Sequence, residues 1–496
     1  MTLRSFAAGA LCVLAWLPAA AQTSACSALA RLRLPQVSID LAVPIAKGEK
    51  LSVWRGGSPM PMPDAFCRVR GVATPVPGSR IGFEVWLPEP ARWNGKFMQA
   101  GNGGTAGSIP LGSLMDGVRR GYAAAATDGG HEWGDGLDYG WAWQQPTRVV
   151  DFGWRAVQQT SLVARKVMRA HYRRAPAKSY FVGCSNGGRD AMVAAQRFPQ
   201  DWDGIVAGAP ALDWLGLMIG GALLQRDLAQ PGAGLSATKL PALQAAALAA
   251  CSEGKRFVER PAQCRFDPGV LRCTGAETDQ CLTDAQLVTV RKVYEGVTDA
   301  SGARIPGQSM GGEALPGNWD FLLLRQASDP LSGSRAAPGT PPPTSISESF
   351  FRHLVREDGA FQLADLRDAD VLSARQRWSR DLDATDPDLR AFRARGGKLL
   401  HYHGWTDGAI PPQMSIDYQQ RVAARVGAEA GKGLDDFYRL FLVPGMNHCG
   451  GGAGPWQVDW VEVLERWVEK GEAPASLSAQ HPETRATQTL RPHGAP

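Results

Sequence analysis

Between about residues 86 and 210, short apolar runs alternate with longer stretches whose apolar positions recur every three or four residues. Residues 96–100 and 121–127 are short runs bounded by glycines, the pattern of strands covered on both faces. Residues 154–171 carry the spacing of an amphipathic helix. A strand at 179–182, a tight turn, a helix at 188–197 and a strand at 204–207 follow, closing on Gly208-Ala209-Pro210. This strand–helix–strand rhythm predicts a mostly parallel sheet flanked by helices.

After Pro210 the rhythm breaks. Residues 211–385 are rich in Gly, Pro and Cys, and 328–347 read as a loop with three consecutive prolines. One helix is well signalled there: Thr283 and Gln286 form a capping box ahead of an apolar stripe at Leu287, Val290, Val293 and Tyr294. The rhythm then resumes. Asp386 is placed to N-cap a helix with Pro387 at its first position and Gly396-Gly397 at its end. A strand at 398–403, a helix at 414–426, a strand at 437–443 and a helix at 458–470 complete the pattern. The expected plan is a signal segment at 1–21, a first α/β part at 22–210, an inserted lid at 211–385 and a second α/β part at 386–496.

Composition changes this picture little. Of 496 residues, 44% are hydrophobic and 20% charged, as in ordinary globular proteins. The net charge of +5 is small and its basic residues are scattered, so neither nucleic acid nor a membrane surface is an expected partner. Arg4, the apolar run 6–17 and the small residues Ala19-Ala20-Ala21 have the form of a secretory signal, too short to span a bilayer. Removing it takes Cys12 with it and leaves eight cysteines, an even number suited to disulfides in an oxidising compartment. Cys251, Cys264, Cys273 and Cys281 could also suggest zinc, but no two of them form a C-x-x-C pair. The expected location is the periplasm or the medium.

Gly183-Cys184-Ser185-Asn186-Gly187 fits G-x-S-x-G between a predicted strand and a predicted helix. That context is what a nucleophile elbow requires, because the glycines let the chain turn sharply and leave the serine over the sheet. A serine hydroxyl needs a base, and the base needs an orienting acid. In an α/β-hydrolase fold these follow in the order Ser, Asp or Glu, His, on loops after late strands. Asp407 lies just past the strand at 398–403 and His448 just past the strand at 437–443. Competing readings make Asp407 a helix cap and His448 an ordinary loop residue. His401 and His403 fall inside a strand, as core residues or residues behind the site, and His131 precedes Ser185 and breaks the order. Asn186 and either Gly103 or Gly104 are the candidate backbone donors to an oxyanion. The run 101–104 lacks the spacing of a phosphate-binding loop. Cys184 adjoins the nucleophile and Cys449 the histidine, so a working triad would bring those thiols together.

These residues resemble the tannase and feruloyl esterase family, which also holds bacterial hydrolases of mono(2-hydroxyethyl) terephthalate. The matching stretches include Trp93-Asn94-Gly95-Lys96-Phe97, Gly101 to Gly107, Thr127 to His131, Asp151 to Val157, Tyr180 to Arg189, Asp203 to Pro210, His403-Gly404-Trp405 and Val443 to Cys449. The resemblance implies an α/β-hydrolase fold with an inserted lid, the Ser185–Asp407–His448 triad and a Cys184–Cys449 bridge. Together with proximity in sequence it implies Cys26–Cys67, Cys251–Cys264 and Cys273–Cys281. One departure stands out. The family's lid carries an Asp-rich calcium loop after the cysteine matching Cys251, whereas here 252–261 contain no aspartate. No metal or other cofactor is therefore expected. The expected activity is hydrolysis of a small aromatic ester, feruloyl-type first, with galloyl esters and terephthalate monoesters as alternatives. A peptidase or a non-catalytic binding protein on the same fold is more remote. Trp214, Trp319, Phe350, Phe351 and Arg352 are the candidate lid contacts to the acyl group.

Overall fold

The computed structural model describes residues 25–53, 57–132, 137–322, 345–427 and 433–494. The expected signal at 1–21 and most of the proline-rich loop, 328–344, lie outside the described residues. Among those described, nine strands make one sheet: β1 (Val37–Ile45), β2 (Phe66–Ala73), β3 (Ile81–Pro88), β4 (Lys96–Ala100), β5 (Ala123–Thr127), β6 (Lys178–Cys184), β7 (Gly204–Gly208), β8 (Lys398–Gly404) and β9 (Tyr438–Val443). Their order is β1-β2-β3-β5-β4-β6-β7-β8-β9. From β5 to β9 every neighbouring pair is parallel, and β1, β2, β3 and β5 pair antiparallel. This is the arrangement of an α/β-hydrolase.

Adjacent residues of each central strand enter different cores, as the alternation of strand side chains requires. Phe97, Phe181, Ile205 and Leu399 face one side, while Met98, Tyr180, Val206 and Leu400 face the other. Helices α2 (Ala156–Tyr172) and α3 (Asn186–Arg197) cover the first face through Val163, Val167 and Ala191. Helix α9 (Trp460–Lys470) covers the second through Val463, Leu464 and Trp467. Helix α1 (Leu111–Arg119) packs Leu114 and Val118 against Trp86 and Ala124 of the sheet.

The chain between β7 and β8 adds no strand to this sheet among the described residues, and the two strands pair directly, Lys398 opposite Gly204. Its helices divide by what they bury. Helices α5 (Leu240–Cys251) and α6 (Asp284–Glu295) build a separate small core around Leu243, Leu287, Val290 and Trp319. The predicted capping box is formed, Gln286 N–H donating to Thr283 Oγ1 at 3.3 Å. Helices α4 (Trp214–Leu228) and α7 (Asp368–Leu382) instead join the main core through Leu215, Ile219, Ala374 and Leu382. The insertion is therefore welded to the sheet's helices on one side and free to form its own cluster on the other.

Two expected elements differ. Asp386 does not cap a helix; its carboxylate accepts from Asp388 N–H at 2.9 Å, and the helix is only Arg390–Ala394. Helix α8 (Pro412–Val422) starts earlier than expected, and beyond it the chain widens into a π-turn at Ala423–Gly427. Four disulfides close the expected pairs: Cys26–Cys67, Cys184–Cys449, Cys251–Cys264 and Cys273–Cys281. Among the described residues no helix is long and apolar enough to cross a membrane.

Candidate active site

Ser185 occupies the turn between β6 and α3 with φ 64° and ψ −127°. Positive φ is costly for a residue with a Cβ and persists only where its surroundings enforce it. Here Ser185 N–H donates to Gly208 O and its carbonyl accepts from Arg189 N–H, both at 3.0 Å. A Cβ on Gly183 would lie 2.2 Å from Gly187 O, so the two glycines permit the close approach that makes the turn.

The loops after β8 and β9 deliver the other two residues. His448 Nε2 lies 2.8 Å from Ser185 Oγ across 263 residues of sequence, and His448 Nδ1 lies 2.8 Å from Asp407 Oδ2. Since Nδ1 faces a carboxylate it is the donor, which leaves Nε2 as an acceptor for the serine hydroxyl. Asp407 is buried and its second oxygen accepts from Ala409 N–H at 2.8 Å and Ile410 N–H at 2.9 Å. It thus caps its own turn with one oxygen and holds the histidine with the other. Burial opposes its charge, yet His448, the hydrogen bonds of His403 and His448 and their proximity hold its carboxyl well below the usual range. Burial likewise opposes the His448 imidazolium, but the charge and hydrogen bond of Asp407 outweigh it and raise the histidine above its ordinary value. The Cys184–Cys449 bridge fastens the histidine loop to the elbow.

The glycine-rich turn after β4 sits beside the serine. Gly101 N–H donates to Val182 O at 3.0 Å, and a Cβ on Gly101 would be 2.5 Å from Gly187 Cα. Asn102 N–H donates to Asp190 Oδ2 at 3.2 Å and its side-chain amide to Thr127 O at 2.7 Å. Among the described residues the amides of Gly103 and Gly104 take no internal hydrogen bond, and Asn186 begins α3, where the first N–H groups have no helical partner. Gly103, Gly104, Ser185 and His448 line one cleft of about 2370 Å³.

The candidate acyl contacts fare unevenly. Trp214 lines that cleft, its Nε1–H donating to Tyr139 Oη at 2.7 Å. Trp319 does not; it is consumed in the small core of the insertion. Phe350 and Phe351 are fully buried, Phe350 edge-on to Tyr139 and Phe351 stacked on Phe361, and they fasten the insertion to the scaffold. Arg352 pairs with Glu348 at 2.5 Å and donates to Phe361 O, which leaves it no part in the cleft wall. The wall is made instead by Leu217, Met218, Leu224, Val297 and Ile305. His131 is buried and stacked on Trp141 with ring centroids 3.6 Å apart, and burial pushes it down to about 3.

Three supporting residues were not anticipated from sequence. Arg189 is fully buried; its guanidinium donates to Asn186 Oδ1 and to the carbonyls of Phe152, Gly153 and Leu382, between the rings of Phe152 and Trp214. Asp190 beside it holds Asn102, and burial lifts its carboxyl to about 6. Asn318 reaches from the insertion to Thr406 O at 2.9 Å and accepts from Gly408 N–H at 3.2 Å, gripping both neighbours of Asp407. An Arg-Asp pair in the first turns of a helix otherwise led by glycine and alanine was the one sequence signal for the first two.

In the loop where the family's calcium ion would sit, Glu253 pairs with Arg260 and Glu259 with Lys255 at 2.5 Å. Both carboxylates are matched to cations, and the residues present do not fit a calcium ion.

The chain aligns at 38% identity with an uncharacterized esterase of Xanthomonas campestris, across 94% of this chain and 85% of the relative. It is 34% identical to a probable feruloyl esterase of Arthroderma benhamiae, across 83% and 78%. The crystal structure of feruloyl esterase B from Aspergillus oryzae superposes with a TM-score of 0.84 at 25% identity, covering 95% of this chain and 96% of that one. The family model for tannase and feruloyl esterase matches residues 67–492, a span that takes in the elbow, both late loops and the whole insertion, and this chain, a carboxylic-ester hydrolase, belongs to that family.

Proposed function

We propose that this enzyme hydrolyses esters of aromatic carboxylic acids, feruloyl-type esters first, by acyl transfer through Ser185. The observation that supports this best is the unbroken contact from Asp407 through His448 to Ser185 Oγ at the floor of an apolar cleft. His448 Nε2 takes the serine proton as Oγ attacks the ester carbonyl, and the imidazolium returns it to the departing alcohol. Water then enters by the same route and releases the acid. Asp407 keeps Nδ1 protonated and stabilises the imidazolium while it exists. The amides of Asn186 and of Gly103 or Gly104 hold the oxyanion. Trp214, Leu217, Met218 and Ile305 offer a flat aromatic acyl group an apolar wall, and the cleft exceeds the roughly 300–1,000 Å³ of an ordinary ligand pocket, leaving room for the alcohol as well.

The reading requires no metal, because the carbonyl is polarised by backbone amides alone. It includes export, to which the four disulfides are suited. The test is a panel of methyl ferulate, methyl gallate, mono(2-hydroxyethyl) terephthalate and p-nitrophenyl acetate on the purified protein. The highest kcat/KM on methyl ferulate supports the reading. A preference for gallate or terephthalate relocates it within the family, and turnover of acetate alone contradicts an aromatic acyl site.

A further inference from the structure

Behind Asp407 runs a line of polar groups that the triad does not use. His403, His401 and Ser415 are fully buried and Tyr438 nearly so. His403 Nε2 lies 2.9 Å from Ile410 O and 3.2 Å from Asp407 Oδ2. His403 Nδ1 is 2.7 Å from Ser415 Oγ, His401 Nε2 is 2.8 Å from the same oxygen, and His401 Nδ1 is 2.9 Å from Tyr438 Oη.

The donors follow from the acceptors. His403 Nε2 faces a carbonyl and a carboxylate, neither of which carries a proton, so Nε2 bears the hydrogen. A ring that carries its single proton on Nε2 accepts at Nδ1, and the Ser415 hydroxyl donates to it. That hydroxyl has one hydrogen, so His401 Nε2–H must donate to Ser415 Oγ, and the Tyr438 hydroxyl must donate to His401 Nδ1. Every hydrogen points the same way, from Tyr438 towards Asp407. Chains of this kind polarise their members cooperatively and fix each tautomer.

We infer that His403 is a positioning residue for the proposed triad, holding Asp407 by two routes. Its Nε2–H faces Oδ2, the oxygen that binds His448, and it clamps the carbonyl of Ile410, whose N–H holds Oδ1. The titratable groups acting on Asp407 are His448 and His403. The inference rests on the triad reading above. It assigns a task to a strand histidine that makes no contact with Ser185.

The test compares His403→Leu, which fills the space without a donor, with His403→Gln, whose amide can still donate near the Nε2 position. Rates are expressed per active site titrated with a serine-reactive phosphonate. His403→Leu should lower kcat by about tenfold or more with KM little changed, the scale of losing a hydrogen bond to a charged group. His403→Gln should recover most of it. Removing the donor leaves the Asp407 carboxylate less stabilised, so its own carboxyl and His448 both rise, and the acid limb of kcat/KM should move to higher pH. Ser415→Ala, which deletes the hydroxyl without adding bulk, should move it the same way and serves if the leucine variant fails to fold. A merely structural role would lower Tm and the titratable fraction while leaving kcat per site and the acid limb unchanged; that result overturns the inference, as does an equal loss in the Leu and Gln variants. If the wild type is not labelled at Ser185, the triad reading fails and this inference falls with it. If Ser185 is labelled and His403→Leu is as active as wild type, only this inference fails.

Discussion

Replacing Cys184 and Cys449 together by alanine separates the two tasks of their bridge. The bridge spans 265 residues. In the chain-entropy treatment a loop of that length restricts the unfolded chain by about 5–6 kcal/mol at 25 °C. The lid bridge Cys273–Cys281 spans 8 residues and by the same relation contributes about 2.5 kcal/mol. Unfolding entropy of roughly 2 cal/mol/K per residue gives a chain of this length about 1 kcal/mol per degree near the transition. Opening the active-site bridge should therefore lower Tm by about 5 °C, and opening the lid bridge by about half that. Differential scanning calorimetry of the two double variants at one scan rate gives the comparison. Kinetics supply the second readout. Cys449 is the residue after His448 and is held at φ 63°, so without the bridge the imidazole loses its anchor to the elbow and kcat should fall with KM nearly constant. A Tm loss no greater than that of the lid pair would refute loop closure as the source of the stability. An unchanged kcat would refute the anchoring role.

Two further outcomes follow from charge. Asp407 raises His448, and the base works only when neutral, so the acid limb of kcat/KM should lie above the ordinary histidine value of about 6.5 and fall as pH drops through it. A pH–rate profile of the free enzyme on a neutral ester checks this, and a limb below that value contradicts the pairing. The same raised value should add stability at acidic pH that disappears as pH rises through it, so His448→Ala should cost more Tm at pH 5 than at pH 9. Because Glu253 and Glu259 are paired with Arg260 and Lys255, Tm and activity should be indifferent to EDTA and to added calcium. A fall of several degrees with EDTA that calcium reverses would show a cation site.

The parallel half of the sheet was legible because β4, β6, β7, β8 and β9 are short apolar runs followed by glycine or turn residues, and Ser185, Asp407 and His448 could be singled out for the proposed triad because each lies just past one of them. The antiparallel edge was not. β1 alternates half-exposed and exposed positions over Val37–Leu41, buries only Ala42 and Ile45 and carries Pro44, while β3 is buried along its whole length but follows no helix, so neither announces a strand–helix unit. The insertion was legible as a break in rhythm and little more. Helices α4 and α7 bury residues against two different partners, which blurs the single apolar stripe that periodicity reads. Trp319, Phe350 and Phe351 were chosen for their aromatic character, and character does not distinguish a cleft wall from a joint between the insertion and the scaffold. Arg189, Asp190 and Asn318 owe their roles to carbonyls and amides supplied by distant loops, which no local pattern contains. Asp407 shows the opposite case, since the cap expected of a bland aspartate and the partner expected of a triad acid are the two oxygens of one carboxylate.

Ser185 carries the proposed mechanism. Wild-type protein treated with a serine-reactive phosphonate should be modified once, on the peptide containing Gly183 to Gly187, with loss of ester hydrolysis in proportion to labelling. Ser185→Ala should take no label, fold with the Tm of the wild type and retain less than about a thousandth of its turnover on the best ester of the panel. Label on another residue, or a Ser185→Ala variant that turns over above that level, would contradict the proposed nucleophile and with it the mechanism.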